Sequence, residues 1–320
     1  MNYYMTELHA HTRHSDGGFS TQELLNEANA FGYDVLAITD HNTMAPVDEV
    51  PTLDTKNLLV LPGMEWTTFF GHLLVIGANR VVDWRKATVD TIDESLREVK
   101  AAGGIAGIAH PFSIGSPICT GCHWDFHIED YHLVDFIEVW NRLNPDDDFR
   151  SQQAYELWID LLNQGYRISC SAGRDWHHME EATDNTALTY VGAENESEEA
   201  ILTSLKVGNF YITLGVKMTI FLQKGQEIYH MGQEVTEGEA QLKLTAFPTE
   251  QAKLKTFGFE VTHAVIWLND RILGCEAIQE GKEITIPVKL EKGYIRVELF
   301  GKGKGKTEKR LAISNPFYII

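Results

Sequence analysis

The sequence predicts an α/β fold, a βα-type barrel or sheet over residues 1–213 followed by a small antiparallel β domain over residues 214–320. Three observations predict it. Short apolar runs alternate with helical stripes through about residue 213. From about Leu214 alternating segments recur with no long helix between them. The early apolar runs also end repeatedly in histidine, aspartate or glutamate, which marks one end of the sheet as a site.

The first run ends in Glu7-Leu8-His9-Ala10-His11. Residues two apart in an extended chain share a face, so both imidazoles aim at one point. Asp16 follows in His14-Ser15-Asp16-Gly17-Gly18. Ser20-Thr21-Gln22-Glu23 is a capping box, and apolar Leu24, Leu25 and Ala28 continue it into a helix. Val35 to Thr39 reads as a buried strand ending on Asp40-His41, and Leu58 to Pro62 as one ending in Gly63-Met64-Glu65. His72 to Gly77 is a further strand, and Gly104 to Ala109 runs into His110-Pro111. Ile92, Leu96 and Val99 repeat at helical spacing between them and stop at Gly103-Gly104. Phe136 to Trp140 ends in Asn141, and Ile168 to Ala172 ends in Gly173-Arg174-Asp175-Trp176-His177-His178. A helical stripe from Ala154 to Leu162 separates these two, and Leu188 to Val191 and a stripe from Ile201 to Leu205 close the first part. In the second part the strand segments are Leu242 to Ala246, Ala264 to Leu268, Ile284 to Val288 and Tyr294 to Phe300.

Imidazole and carboxylate form the ligand set of zinc, manganese and iron. The candidate ligands are His9, His11, Asp16, His41, Glu65, His72, His110, Asp175 and His177. Eleven of the 13 histidines precede residue 179, so a satisfied core histidine is a poor account of the set. The net charge of −19 argues against a nucleic-acid footprint and against an anionic membrane surface. The N-terminal residues lack the charged and apolar regions of a signal peptide, so the expected location is cytoplasmic. Four cysteines do not suggest a disulfide framework. Cys119-Thr-Gly-Cys122-His123 matches a haem-attachment pattern, but a loop at the site mouth is the expectation. Gly301 to Lys306 reads as a hairpin turn, and Asp146-Asp147-Asp148 as a solvated loop before the next helix.

His9-x-His11, Ser15-Asp16-Gly17, Thr39-Asp40-His41-Asn42, Gly63-Met64-Glu65, Ala109-His110-Pro111 and Asp175-x-His177 resemble the motifs of the PHP (polymerase and histidinol phosphatase) superfamily. Gly71-His72 to Gly77 and Glu138-Val-Trp-Asn141 resemble its CehA/McbA-like branch. The resemblance implies a distorted (β/α)7 barrel with two or three divalent metal ions and phosphoesterase chemistry through a metal-bridged hydroxide. It implies that His9, His11, Glu65 and Asp175 hold one metal, that Glu65 bridges to a second held with His72 and His110, and that Asp16, His41 and His177 hold a third. Catalytic roles fall to Glu65, Asp175 and His177. Arg174 stands where the family often has serine, and either contacts a substrate anion or pairs with a nearby carboxylate. His178 is either an acid or phosphate contact or an exposed neighbour of His177. Asp40 is expected to orient His41 or a helix end, and Asn141 to support a ligand or meet the substrate. The implied partner is a small phosphorylated metabolite or nucleotide. A carbamate, ester or amide hydrolase using the same metals is the alternative.

Overall fold

A computed structural model describes residues 1–115, 121–179, 185–248, 258–303 and 307–320. In chain order its first part contains β1 (Asn2–Glu7), α1 (Thr21–Phe31), β2 (Val35–Ile38), α2 (Ala45–Glu49), β3 (Leu59–Thr68) and β4 (Gly71–Ile76). Then come α3 (Ile92–Ala101), β5 (Ile105–Ile108), β6 (Phe136–Asn141), α4 (Phe149–Asn163), β7 (Ser169–Gly173), β8 (Leu188–Ala193), α5 (Glu198–Val207) and β9 (Phe210–Thr213). The second part contains β10 (Lys217–Lys224), β11 (Glu227–Tyr229), β12 (Glu234–Val235), β13 (Gly238–Phe247), β14 (Glu260–Leu268), β15 (Arg271–Ala277), β16 (Ile284–Leu290), β17 (Gly293–Lys302), β18 (Glu308–Ser314) and β19 (Phe317–Ile319).

β1, β2 and β3 pair in parallel, as do β5, β6 and β7. β2 shows why these runs read as continuously apolar. Val35 and Ala37 pack into one cluster with Leu8, Leu61 and Phe210, while Leu36 and Ile38 face a second with Leu24, Leu25 and Trp66. A strand covered on both faces has no polar side to show. α1 starts where the sequence says it should. Ser20 caps α1 by accepting from the Glu23 N–H while the Glu23 carboxylate returns to the Ser20 N–H at 2.7 Å.

Two features depart from the expected (β/α)7 barrel. β3 and β4 form an antiparallel hairpin through Phe69-Phe70 with no helix between them, and β4 is antiparallel to β5 although α3 connects the two. Nor does the sheet close: β7 pairs with β6 alone, and among the described residues no ladder joins it to β8. The Thr189 hydroxyl on β8 bridges the gap, accepting from the Ala172 N–H (3.1 Å) and donating to the Ala172 carbonyl (2.9 Å). The architecture is a mixed, strand-rich α/β sheet.

The second part is antiparallel and richer in strands than expected. β10, β11, β13 and β16 form a separate four-stranded sheet. β17, β18 and β19 instead extend the first sheet, because β9 pairs with β8 on one edge and β18 on the other. Asn315 stitches the parts further, accepting from the Cys170 N–H at 2.7 Å. Removing residues 214–320 is therefore expected to bare the β9 edge and give aggregating protein. A monodisperse 1–213 fragment on size-exclusion chromatography would contradict that. Asp148 caps α4, and Asp146 is buried against Lys309, so the three aspartates are not merely solvated. Cys119, Lys304 and Lys306 lie outside the described residues. Among the described residues no helix is long and apolar enough to cross a membrane.

Candidate metal centre

The ends of the parallel strands converge on one point. His9 and His11 follow β1 on an extended stretch that pairs with the stretch after β7, through His11 N–H to Trp176 carbonyl (2.9 Å) and Trp176 N–H to His9 carbonyl (3.0 Å). That pairing sets both histidines beside Asp175 and His177. After β2, His41 bridges to Glu65 within β3, and the Asn42 N–H donates to the Glu65 carbonyl. His72 lies on β4 and His110 just beyond β5. His110 (φ +27°) and Asp175 (φ +52°) both hold left-handed backbone, which costs a non-glycine residue about 1–3 kcal/mol and concentrates at functional positions.

Three groups of ligand atoms result. His9 Nε2 lies 3.3 Å from Glu65 Oε2 and 3.4 Å from Asp175 Oδ1, and His11 Nε2 lies 3.4 and 3.3 Å from the same oxygens. A tetrahedral site with bonds of about 2.0–2.1 Å has edges of about 3.3 Å. Glu65 Oε1 lies 2.8 Å from His72 Nδ1 and 3.0 Å from His110 Nε2, while Glu65 Oε2 lies 3.0 Å from His41 Nδ1. Asp16, exposed at the mouth, meets His177 Nε2 at 3.1 Å and His41 Nε2 at 3.5 Å, with His11 Nδ1 at 3.7 Å. Eight of the nine candidate ligands thus fall into three groups that share His11, His41 and Glu65, and His110 adjoins them through Glu65.

Its chemistry fits bound cations. His9 Nε2, both ring nitrogens of His11, Glu65 Oε2 and His72 Nε2 are buried without a hydrogen-bond partner among the described residues. Leaving such atoms dry and unpaired costs about 1–3 kcal/mol each, so five together need a ligand. The tautomers agree. His110 Nδ1 donates to the Cys122 carbonyl (3.2 Å) and His177 Nδ1 to the Asp175 carbonyl (2.7 Å), so each Nε2 turns a lone pair inward. Burial opposes ionisation of Glu65 and Asp175, yet the histidines around them hold both well below the usual carboxylate range. Burial likewise opposes charge on His41, but Glu65 and Asp16 push it up to about 10. Protons held this way are what cations displace.

A second layer fixes the first. Glu138 Oε1 holds His9 Nδ1 at 2.9 Å, and its Oε2 accepts from the His110 N–H and the Asn141 side chain, both at 3.0 Å. Asn141 thereby supports a ligand through Glu138. Gly173 is required beside this carboxylate, because a Cβ there would lie 2.3 Å from Glu138 Oε1. Asp40 departs from expectation. It accepts from the Thr12 N–H, the Thr12 hydroxyl and the Ser15 hydroxyl, and so pins the loop that presents Asp16 rather than His41 or a helix end.

Arg174 is buried: its backbone N–H donates to Glu7 Oε1, and its guanidinium lies 3.7 Å from the Trp176 ring centroid and 4.7 Å from that of Phe31. Burial pushes the Glu7 carboxyl up to about 7 despite that guanidinium. His178 is exposed, with its ring 6.2 Å from that of His177. The residue that sequence reasoning missed is Arg142. It follows Asn141, holds φ +60°, and its Nε donates to Asp175 Oδ2 at 3.1 Å while half the side chain faces solvent. No local pattern marks an arginine for that backbone, so the sequence carried no signal for it. Beside the cluster a small pocket is lined by His110, Phe112, Asn141, Asp148 and Arg150.

Histidines and carboxylates gathered at the strand ends of an α/β sheet form a cluster that could hold metal ions. The chain belongs to the PHP domain family, whose model matches residues 7–170. An uncharacterized protein of Methanocaldococcus jannaschii is 30% identical over 152 residues, covering 44% of this chain and 83% of that one. Among solved structures, a two-domain protein of Bacteroides vulgatus containing a predicted PHP-like metal-dependent phosphoesterase aligns over 99% of this chain and 95% of that chain, with a TM-score of 0.53 and 16% identity. That likeness concerns the fold of both parts.

Proposed function

We propose that this chain is a cytoplasmic metal-dependent phosphoesterase of the CehA/McbA-like branch, acting on a small phosphorylated metabolite or nucleotide. In this reading residues 1–213 are the hydrolase unit and residues 214–320 a β domain. The carrying observation is the gathering of five histidines around the buried Glu65 carboxylate, with five ligand atoms of the cluster buried and lacking a hydrogen-bond partner among the described residues and the half-exposed Arg142 at the mouth. His9, His11, Glu65 and Asp175 would hold one ion, Glu65 with His72, His110 and His41 a second, and Asp16, His41, His11 and His177 a third. Zinc, manganese or iron bound there would supply Lewis acidity and an activated water at neutral pH.

The chain's own groups do the rest. Glu138 and the Cys122 carbonyl fix the ring orientations of His9 and His110. Arg142 sets a guanidinium beside Asp175, and its planar fork has donors enough for that carboxylate and a phosphate oxygen together. The test is comparative. With zinc, manganese and iron each loaded, kcat/KM for an aryl phosphate is expected to exceed that for the matching aryl carbamate, since a fixed guanidinium favours a substrate that arrives charged. Arg142→Ser is expected to lower the phosphate value about 10–100-fold and to leave the carbamate value nearly unchanged. A carbamate preference with every metal would establish the amide and carbamate reading instead. Elemental analysis should find at least two divalent ions per chain.

A further inference from the structure

We propose that Lys309, on β18, is a positioning residue for the mouth of the metal centre: it pins the segment between β6 and α4 and so keeps Arg142 on Asp175. The segment is strained and needs holding. Arg142 has positive φ, +60°, a conformation that such a side chain keeps only where the surroundings impose it, and Asn144 follows at +51°, which asparagine adopts more readily. Backbone contacts hold its first half. The Arg142 N–H donates to the Gly173 carbonyl (3.1 Å), the Asn144 N–H to the Asn185 carbonyl (2.7 Å), and Leu143 bridges to Thr186.

Lys309 holds the second half. Its ammonium donates to Asp146 Oδ2 at 2.5 Å and to Asp147 Oδ2 at 2.6 Å. The two aspartates are not equivalent: the Asp146 side chain is 3% exposed and that of Asp147 70%. Lys309 therefore neutralises a buried carboxylate, which is costly to leave alone. The lysine itself stands on a firm base. One residue along β18, Arg310 reaches Glu298 on β17, which also takes Arg296 and the hydroxyl of Tyr155 on α4. Strand, helix and clamp are thus tied to one another through Glu298.

The consequence reaches the ligands. Arg142 occupies Asp175 Oδ2, leaving Oδ1 turned to His9, His11 and His177. A residue of the C-terminal strands is thereby coupled to a candidate metal ligand through one short segment. This explains why those strands join the first sheet rather than hang from it as an appendage. The kinetic arm of the test rests on the phosphoesterase reading; the exchange arm does not.

The experiment compares full-length protein with Lys309→Met and Lys309→Arg. Hydrogen–deuterium exchange at residues 142–148 is expected to quicken about 10-fold in the Met variant and to return to the original rate with Arg. KM for an aryl phosphate should rise about 5–10-fold in Lys309→Met with kcat within about twofold, again rescued by Arg, because a wandering Arg142 weakens binding of substrate and transition state alike. Asp146→Asn, which keeps the lysine, should reproduce both effects and stands in if Lys309→Met does not fold. Unchanged exchange at 142–148 in the Met variant, or failure of Arg to restore it, overturns the proposal. Absence of phosphate turnover in the unaltered protein would instead overturn the phosphoesterase reading, and exchange alone would then decide the role of Lys309.

Discussion

Glu65→Gln is expected to lower kcat/KM for a phosphate ester about 1,000-fold, near 4 kcal/mol of transition-state stabilisation, and to leave the protein short of metal. The side chain is fully buried, and its two oxygens face five histidines: His72 and His110 on Oε1, His9, His11 and His41 on Oε2. The amide keeps the shape but removes the negative charge and turns one acceptor into a donor. That donor would point at ring nitrogens already orphaned, so two of the three ligand groups lose their shared oxygen together. His72→Ala should be milder, about 10–100-fold, because His72 belongs to one group only. Metal content by elemental analysis, read beside kcat/KM for both variants, checks the ranking. Equal losses in metal and rate would mean that Glu65 does not bridge.

Much of this centre was legible because the ligands sit in short local motifs at strand ends. His9-x-His11, Asp40-His41 and Met64-Glu65 each need only the period of an extended chain to set their direction, and the structure gathers eight of the nine candidates into three ligand groups, with His110 adjoining them through Glu65. Arg142 was not legible because its position depends on a left-handed backbone and on Lys309, far along the chain. Arg174 was ambiguous for a related reason: its partner Glu7 and the rings of Phe31 and Trp176 meet it only in the fold.

The fold was legible where burial is two-sided and poorly legible where pairing is distant. The hairpin β3–β4 turns through Phe69-Phe70 with none of the Asn-Gly or Asp-Gly chemistry that advertises a tight turn, so its antiparallel pairing carried no local signal. Closure into a barrel is a property of registers and tilts, not of any one segment, and Thr189 reaching across to Ala172 has no sequence signature. β10 did carry a signal, since Met218, Ile220 and Leu222 alternate inward. β15 carried little, because most of it is exposed.

Glu298→Ala should cost about 3–5 kcal/mol of folding stability, since it removes the anion from a buried cluster and leaves the cations. Glu298 is fully buried on β17, takes Arg296 and the Tyr155 hydroxyl on Oε1, and has Arg310 Nε 3.1 Å from Oε2. Arg296 is itself buried, and a guanidinium cannot shed its charge. The aromatic rings temper the loss. Arg296 lies 4.8 Å from the Trp267 ring centroid and Arg310 4.1 Å from that of Tyr155, contacts that survive the substitution. The contrast is the surface pair Arg271–Glu291, also 3.1 Å apart but with both side chains at least half exposed. Arg271→Ala should cost less than about 1 kcal/mol. Denaturant unfolding of both variants at fixed metal loading checks the difference. A Glu298→Ala loss below about 1 kcal/mol would mean that the rings alone keep the two arginines in place, and that α4 is held to β17 and β18 by apolar packing rather than by charge.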